Sequence, residues 1–426
     1  MRQLPVLLFF LLPYALCAQS IYLHCGQMFD ARSGTLRGPI TVVVEGENIR
    51  AVENGYVNPP AGAKAIDLKD LTLLPGYIDC HVHLEWEQSR NTYTEKFTLN
   101  EADIAFRSAV YARKTLHAGF TTVRDLGGQG VNIALRKAVN AGLCEGPRIY
   151  TAGQALSITG GHGDPTNGGH WDLYESPEPE DGVADGPDEC RTAVRTQVKQ
   201  GADWIKVCAT GGVLSLARDG RLPHYASDEL ETIVRTAHDL GIEVAAHAHG
   251  DAGARRAIQA GVRSIEHGTF MSDSTLDMMK TRGVWYVPTL TAGWAVSDSA
   301  QYAKGFFPEV VRVKAMGIGP KITETLTRAY QKGVPIAFGT DAGVCPHGTN
   351  NLEFAFMAKA GMRPADILRA ATLNAAEMLG IANKTGSIEA GKWADLVAIK
   401  GNPLQDIKVM TPHPAFVMKG GKVVVE

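Results

Sequence analysis

Leu73-Leu74-Pro75-Gly76-Tyr77-Ile78-Asp79-Cys80-His81-Val82-His83 is the stretch on which the reading of this chain turns. An apolar run crosses a Pro-Gly turn signal and ends in two histidines one residue apart. As a β-strand, its period-2 alternation places His81 and His83 on the same face. Two imidazoles at a strand end make half of a divalent metal site, because neutral imidazole suits zinc and its neighbours. The pair alone is ambiguous, and the rest of the chain gives it meaning.

Downstream of it, helices and strands alternate. The segment 101–117 is amphipathic and stops at Gly119, and 120–125 reads as a strand. Helices over 131–141, 190–200, 227–240, 252–260 and 274–282 are each followed by a strand, over 148–153, 203–209, 243–249, 264–267 and 284–290. A helix over 319–332 then leads into a last strand, 335–341. Counted from His81 there are eight strands, the arithmetic of a (β/α)8 TIM-like barrel with its active site at the C-terminal ends of the strands. The loop 157–186, rich in Gly, Pro, Asp and His, is long enough to be functional. Short strands flank the barrel, over 21–24, 40–44 and 49–52 before it and 395–399, 415–418 and 422–425 after it. We therefore expect an α/β fold with a barrel over 75–382 and a small discontinuous β-sandwich domain built from both ends of the chain, 19–74 and 383–426.

The first residues read differently. Met1-Arg2 carries positive charge, Val6 to Leu12 is apolar, and Ala15-Leu16-Cys17-Ala18-Gln19 offers small residues for cleavage. Residues 1–18 are expected to be a signal peptide, so the mature protein is periplasmic or secreted. Leu16 is bulky where a lipid-modified cysteine wants a small neighbour, which favours simple cleavage over a lipoprotein. No other apolar run is long enough for a membrane span. A net charge of −3 over 426 residues provides no basic field, which argues against nucleic acid as a partner. The seven cysteines lack CxxC spacing, so no cysteine zinc site is readable. Export makes Cys144 with Cys190 the disulfide to test, whereas Cys80 and Cys208 read as small buried residues.

Polar residues of the kind that bind metals collect at the strand ends. His81 and His83 end the first strand, Lys206 lies in the fourth, His247 and His249 end the fifth, His267 the sixth and Asp341 the eighth. Thirteen histidines scattered at random would rarely choose such positions, so their convergence is the signal. Arg124 and Asp125, ending the second strand, read as an internal ion pair. His162 sits among glycines that let a backbone approach a ligand closely, and is a substrate-binding candidate. His249 is a second, as a donor facing the substrate, and Tyr225, as a binder of a substrate carboxylate, a weaker third.

These motifs, with Asp203-Trp204-Ile205-Lys206, His247-Ala248-His249-Gly250, Ser264-Ile265-Glu266-His267-Gly268, Gly339-Thr340-Asp341-Ala342-Gly343 and the tail Gly386-Ser387-Ile388-Glu389-Ala390-Gly391-Lys392-Trp393-Ala394-Asp395-Leu396-Val397, resemble the amidohydrolase superfamily. The resemblance covers nearly all the mature chain. It is strongest to the branch with two metals and a carboxylated lysine, including Xaa-Pro dipeptidase-like, imidazolonepropionase-related and ochratoxin-hydrolysing members. By that resemblance His81, His83 and Asp341 hold one divalent metal ion, and His247 and His267 the other. Lys206, carboxylated by carbon dioxide to N6-carboxylysine, bridges them, since a carbamate is an anionic ligand and an ammonium is not. Zinc is the first choice for nitrogen and oxygen ligands. Two metals sharing a hydroxide lower the pKa of water from ~15.7 towards ~7. Asp341, the implied catalytic residue, passes the proton of the attacking water to the leaving nitrogen. The implied substrates are small molecules: Xaa-Pro-like dipeptides, N-acyl amino acids or ochratoxin-like amides. The implied assembly is a homo-oligomer.

Two other readings compete. A cyclic-amide hydrolase or deaminase of the same superfamily is one, although deaminases usually work with one metal and lack the bridging lysine. An exported binding or scaffold protein is the other, but loss of catalysis should show as missing ligands, and all six positions are filled.

Overall fold

The protein is described by a computed structural model covering residues 20–217 and 219–426; the expected signal peptide, with Cys17, lies outside these residues. Eight strands drawn from both ends of the chain form one sheet. From the N-terminal side come Ile21–Asp30, Thr35–Arg37, Ile40–Glu45, Asn48–Asn54 and Lys64–Pro75, and from the C-terminal side Leu396–Lys400, Phe416–Lys419 and Lys422–Val425. The two contributions join where Leu73 pairs antiparallel with Ala398. The sheet folds over itself: Ile49 N–H donates to Lys392 O at 2.8 Å and Ala394 N–H to Glu47 O at 2.8 Å. Leu23, Val42, Leu73, Leu396 and Phe416 fill its interior. Lys64–Pro75 is the long strand absent from the sequence reading, because Ile66 and Leu68 alternate there with charged residues and only one face is buried.

Gly76 marks the crossing into the barrel. A side chain there would lie 2.2 Å from Thr121 Oγ1, so the close approach of the two segments requires glycine. The barrel strands Tyr77–Val82, Phe120–Asp125 and Arg148–Thr151 form one parallel run, and Ile205–Cys208, Val244–Gly250, Ser264–Phe270 and Trp285–Val287 another. Irregular backbone joins them. Leu156 N–H donates to Lys206 O at 2.7 Å and Cys208 N–H to Leu156 O at 2.8 Å. On the other side, the eighth strand is an extended segment rather than a regular strand. Ala337 N–H reaches Tyr286 O (3.0 Å), Cys80 N–H reaches Phe338 O (2.9 Å), and Asp341 N–H reaches His81 O (2.7 Å). These bonds close the ring of eight.

Helices pack outside it, with Glu101–His117 as the spacing predicts. Helices not anticipated include Leu290–Tyr302 and Glu309–Ala315, which lie between the seventh and eighth strands. The expected strand over 284–290 ends at Val287, and Leu290 already starts a helix. The expected disulfide is not formed, as Cys144 and Cys190 are both free. Cys190 is buried on Gly186–Gln200 with its thiol turned to Ala184 O of its own chain at 3.9 Å, while Cys144 is only half-buried. Among the described residues no helix is long and apolar enough to cross a membrane.

Candidate active site

One cavity of about 510 Å³ opens at the C-terminal ends of the barrel strands, and His81, His83, His162, Lys206, His247, His249, His267 and Asp341 all line it. The donor atoms of His81, His267 and Asp341 lie within 4.8 Å of one another. His247 adjoins them, its ring 4.6 Å from that of His267, and Lys206 Nζ lies 3.4 Å from His81 Nε2. Tyr225 stands apart. Its side chain is fully buried in the core, its hydroxyl has no hydrogen-bond partner, and it does not reach the cavity wall.

The imidazoles are oriented by their other nitrogens. His81 Nδ1 lies 2.9 Å from Glu266 Oε2, His83 Nδ1 2.8 Å from Gly127 O, and His267 Nδ1 2.8 Å from Thr289 Oγ1. Thr289 Oγ1 itself donates to Pro288 O at 2.7 Å and is left to accept. Each partner thus calls for a proton on Nδ1 and leaves a lone pair on Nε2. His247 is reversed: Nε2 donates to Gly211 O at 3.0 Å, freeing Nδ1.

This donor set fits a divalent cation. Asp341 Oδ1 is buried without a hydrogen-bond partner, 3.3 Å from His83 Nε2 and 3.6 Å from His81 Nε2. Lone pairs facing a carboxylate oxygen repel unless a cation or a proton lies between them. Burial moves His81, His247 and His267 well below the usual imidazole range, so they are neutral, the form in which an imidazole can bind metal. Burial also lowers the Lys206 ammonium. Asp341 ends below its ordinary value: burial pushes it up, but His81 and His83 outweigh that.

Backbone strain collects here. Among the described non-glycine residues His267, Thr289 and Asp341 have positive φ, at 68°, 55° and 58°. Such conformations persist where surrounding structure enforces them, most often at functional sites. His267 shows the benefit. Alternation alone would send Glu266 and His267 to opposite faces, yet the left-handed turn brings both to His81, with the His81 and His267 rings 5.0 Å apart.

The sequence reading missed the groups beneath the metal-type residues. Arg124 pairs not with Asp125 but with Glu266, Nη2 to Oε1 at 2.8 Å, and stacks on Trp204 at 4.6 Å. Asp125 instead accepts from Leu84 N–H at 2.8 Å and Asn132 Nδ2 at 2.9 Å. Asp79 ties the first strand to the eighth by accepting from Thr340 Oγ1 at 2.6 Å and Asn350 Nδ2 at 2.8 Å. An acidic residue inside an apolar strand was the available signal for Asp79 and Glu266. Glu85, also on the wall, is pushed up to about 7 by burial and by Asp125, while Gln129 and Asn132 N–H groups hold it at 2.6 Å each.

Known proteins share this architecture. The profile of the amidohydrolase family matches residues 72–424. Ochratoxinase from Aspergillus niger is 36% identical over 368 residues, spanning 82% of this chain and 75% of its own. A solved Xaa-Pro dipeptidase with methionine bound in its active site superposes with a TM-score of 0.92 at 44% identity, over 96% of this chain and 100% of its own. A prolidase complexed with N-methylphosphonate-L-proline gives 0.88 at 34% identity, over 96% and 100%.

Proposed function

The chain belongs to the amidohydrolase family, and from that premise we propose that it cleaves the amide bond of Xaa-Pro-like dipeptides or N-acyl amino acids. Ochratoxin-like amides fall within the same chemistry. The observation that carries this reading is the unpartnered Asp341 Oδ1 among Nε2 lone pairs, at the floor of a cavity large enough for a dipeptide. Similarity to a dipeptidase and a prolidase supports the choice of substrate class.

His81, His83, His267 and Asp341 would hold divalent metal with His247, zinc being the first choice for such ligands. Bound metal would supply Lewis acidity, lowering the pKa of water and polarising the amide carbonyl. Lys206 is suited to carboxylation: burial favours its neutral amine, which could add to carbon dioxide with release of one proton and would then offer an anionic oxygen ligand to metal. Asp341 then moves a proton from the attacking water to the leaving nitrogen, without which an amine anion would have to depart. His249 and His162, both lowered to about 3 by burial, are neutral and offer hydrogen bonds rather than charge to the substrate.

Export and homo-oligomerisation complete the proposal. The first rests on the N-terminal sequence. The second is supported by Phe106 and Val110, 80% and 53% exposed on one face of Glu101–His117.

The test is metal analysis of the purified mature protein, with assays on Xaa-Pro dipeptides and N-acyl amino acids. Two metals per chain, and turnover lost in Lys206→Ala and Asp341→Ala, is the expected result. Metal without peptide turnover would redirect the search to cyclic amides, and absence of both would sink the reading.

A further inference from the structure

The roof of the cavity is fastened by a single ammonium. Lys314 Nζ lies 3.0 Å from Gly212 O, 2.5 Å from Ser215 O and 2.7 Å from Ala217 O. A lysine has three N–H donors, and all three go to carbonyls of one loop. That loop follows the fourth strand, whereas Lys314 stands on the helix Glu309–Ala315, in the insertion before the eighth strand. The tether therefore spans the mouth of the barrel. Apolar packing reinforces it, as Val213 from the loop is buried against Val311, Ala315 and Ile318. From the opposite rim Tyr93 Oη donates to Leu214 O at 3.1 Å.

The loop is more than a cover. Gly211 O accepts from His247 Nε2 at 3.0 Å and so fixes which nitrogen of His247 faces the other histidines. Gly212 is the seat of His162: a Cβ there would lie 2.1 Å from the imidazole, so only glycine lets the ring pack so close. Val213, Leu214 and Ser215 line the cavity itself. Moving this loop would disturb His247, His162 and the substrate wall together.

We propose that Lys314 is a positioning residue that straps the loop 211–217 over the cavity, thereby setting the orientation of His247 and the seat of His162. Its kinetic consequence rests on the amidohydrolase reading, but its structural consequence does not. Lys314 does not line the cavity, and its hydrogen bonds reach the site through the loop. Burial lowers its ammonium to about 8 against the pull of Asp219 on the same loop, and His162 and His249 are the other titratable groups that sense its charge. An ammonium half-removed from water, with no carboxylate salt bridge among the described residues, makes sense when carbonyls saturate it.

The experiment compares wild type, Lys314→Met, Lys314→Gln and Lys314→Arg in the full mature chain. Hydrogen–deuterium exchange is read on peptides covering 209–217 without added metal, and kcat and KM on an Xaa-Pro dipeptide with zinc. Methionine keeps the stem but removes the donors, so exchange in the loop should rise at least tenfold while the barrel strands stay protected. Arginine should restore most of the protection, and glutamine should fall between. The kinetic expectation is a fall in kcat/KM of about tenfold or more for methionine, with recovery in arginine. If methionine prevents folding, glutamine against arginine carries the comparison. Unchanged exchange at 211–217 would overturn the strap whatever the activity. Faster exchange with no turnover even in wild type would keep the strap and reject the proposed substrate.

Discussion

His81 Nδ1 and Glu266 Oε2 stand 2.9 Å apart in the floor of the barrel, their side chains 1% and 0% exposed. Glu266 is in turn held by Arg124 at 2.8 Å and by Ser264 Oγ at 2.5 Å, and Arg124 Nε donates to Cys80 O at 2.7 Å. The chain Arg124–Glu266–His81 thus connects three strands and ends on the nitrogen that orients a candidate ligand. A carboxylate accepting from Nδ1 fixes the tautomer and raises the basicity of Nε2, the usual arrangement behind metal-binding histidines.

Glu266→Gln should therefore weaken metal binding with modest effect on the fold. The amide keeps the volume but has a single acceptor oxygen for Arg124, Ser264 and His81. A loss of metal affinity of about 10–100-fold is expected, read by chelator competition. Glu266→Ala differs in kind, because it strands the buried guanidinium of Arg124; a loss of about 3–5 kcal/mol in urea unfolding is expected. Equal metal affinity in wild type and Glu266→Gln would reject the orienting role.

Asp341→Asn should separate binding from chemistry. The side chain keeps one oxygen for a metal but has no basic carboxylate to move a proton. The expected outcome is a protein that retains metal, at reduced affinity, with kcat down by about 10²–10⁴-fold. Metal analysis beside steady-state kinetics checks it, and a kcat within tenfold of wild type would assign the proton transfer elsewhere.

The sequence disclosed the barrel and the residues on its rim for one reason: several strands carry, at or near their ends, side chains too polar for a core, at spacings that alternation sends inward. What it concealed depends on backbone that abandons alternation. The left-handed φ of 68° at His267 lets Glu266 and His267 serve the same imidazole, which no period-2 reading allows. Arg124 next to Asp125 invited a local ion pair, but neighbours on a strand point apart, and Arg124 finds Glu266 142 residues away. The helix Leu290–Tyr302 was hidden by an apolar run shared with the seventh strand, since short apolar segments do not distinguish the two.

A pH dependence of stability follows from Glu353. Its carboxyl is fully buried and pushed up to about 8 from an ordinary 4.5, although Leu290 N–H at 2.9 Å, Thr291 N–H at 2.6 Å and Thr291 Oγ1 at 2.6 Å resist the shift. A raised acid pKa means that the folded chain keeps a proton that the unfolded chain releases. Its contribution is complete below about 4.5 and is lost as pH rises through about 8. Glu353→Gln, which mimics the neutral form, should flatten the decline over that window by up to about 1.4 kcal/mol per pH unit. Denaturant midpoints of both proteins, measured across the window in the same buffer and metal, are the check. Parallel curves would show that Glu353 is ionised when folded.

Removal and return of metal tests Lys206 apart from the histidines. Stripping with a chelator should lower thermal stability, because metal bound to the native state at a thousand times its dissociation constant adds about 4.1 kcal/mol. Lys206 Nζ lies 3.4 Å from His81 Nε2, and as an ammonium it would repel an incoming cation. Zinc added in carbon dioxide-free buffer should therefore restore stability and turnover slowly. Bicarbonate added with the zinc should accelerate the return, since the amine must first become a carbamate before it can bridge. In Lys206→Ala the bicarbonate effect should vanish while binding at the histidines and Asp341 persists at lower affinity. A recovery rate indifferent to bicarbonate in the wild type would leave Lys206 as an unmodified lysine and remove the bridging ligand from the mechanism.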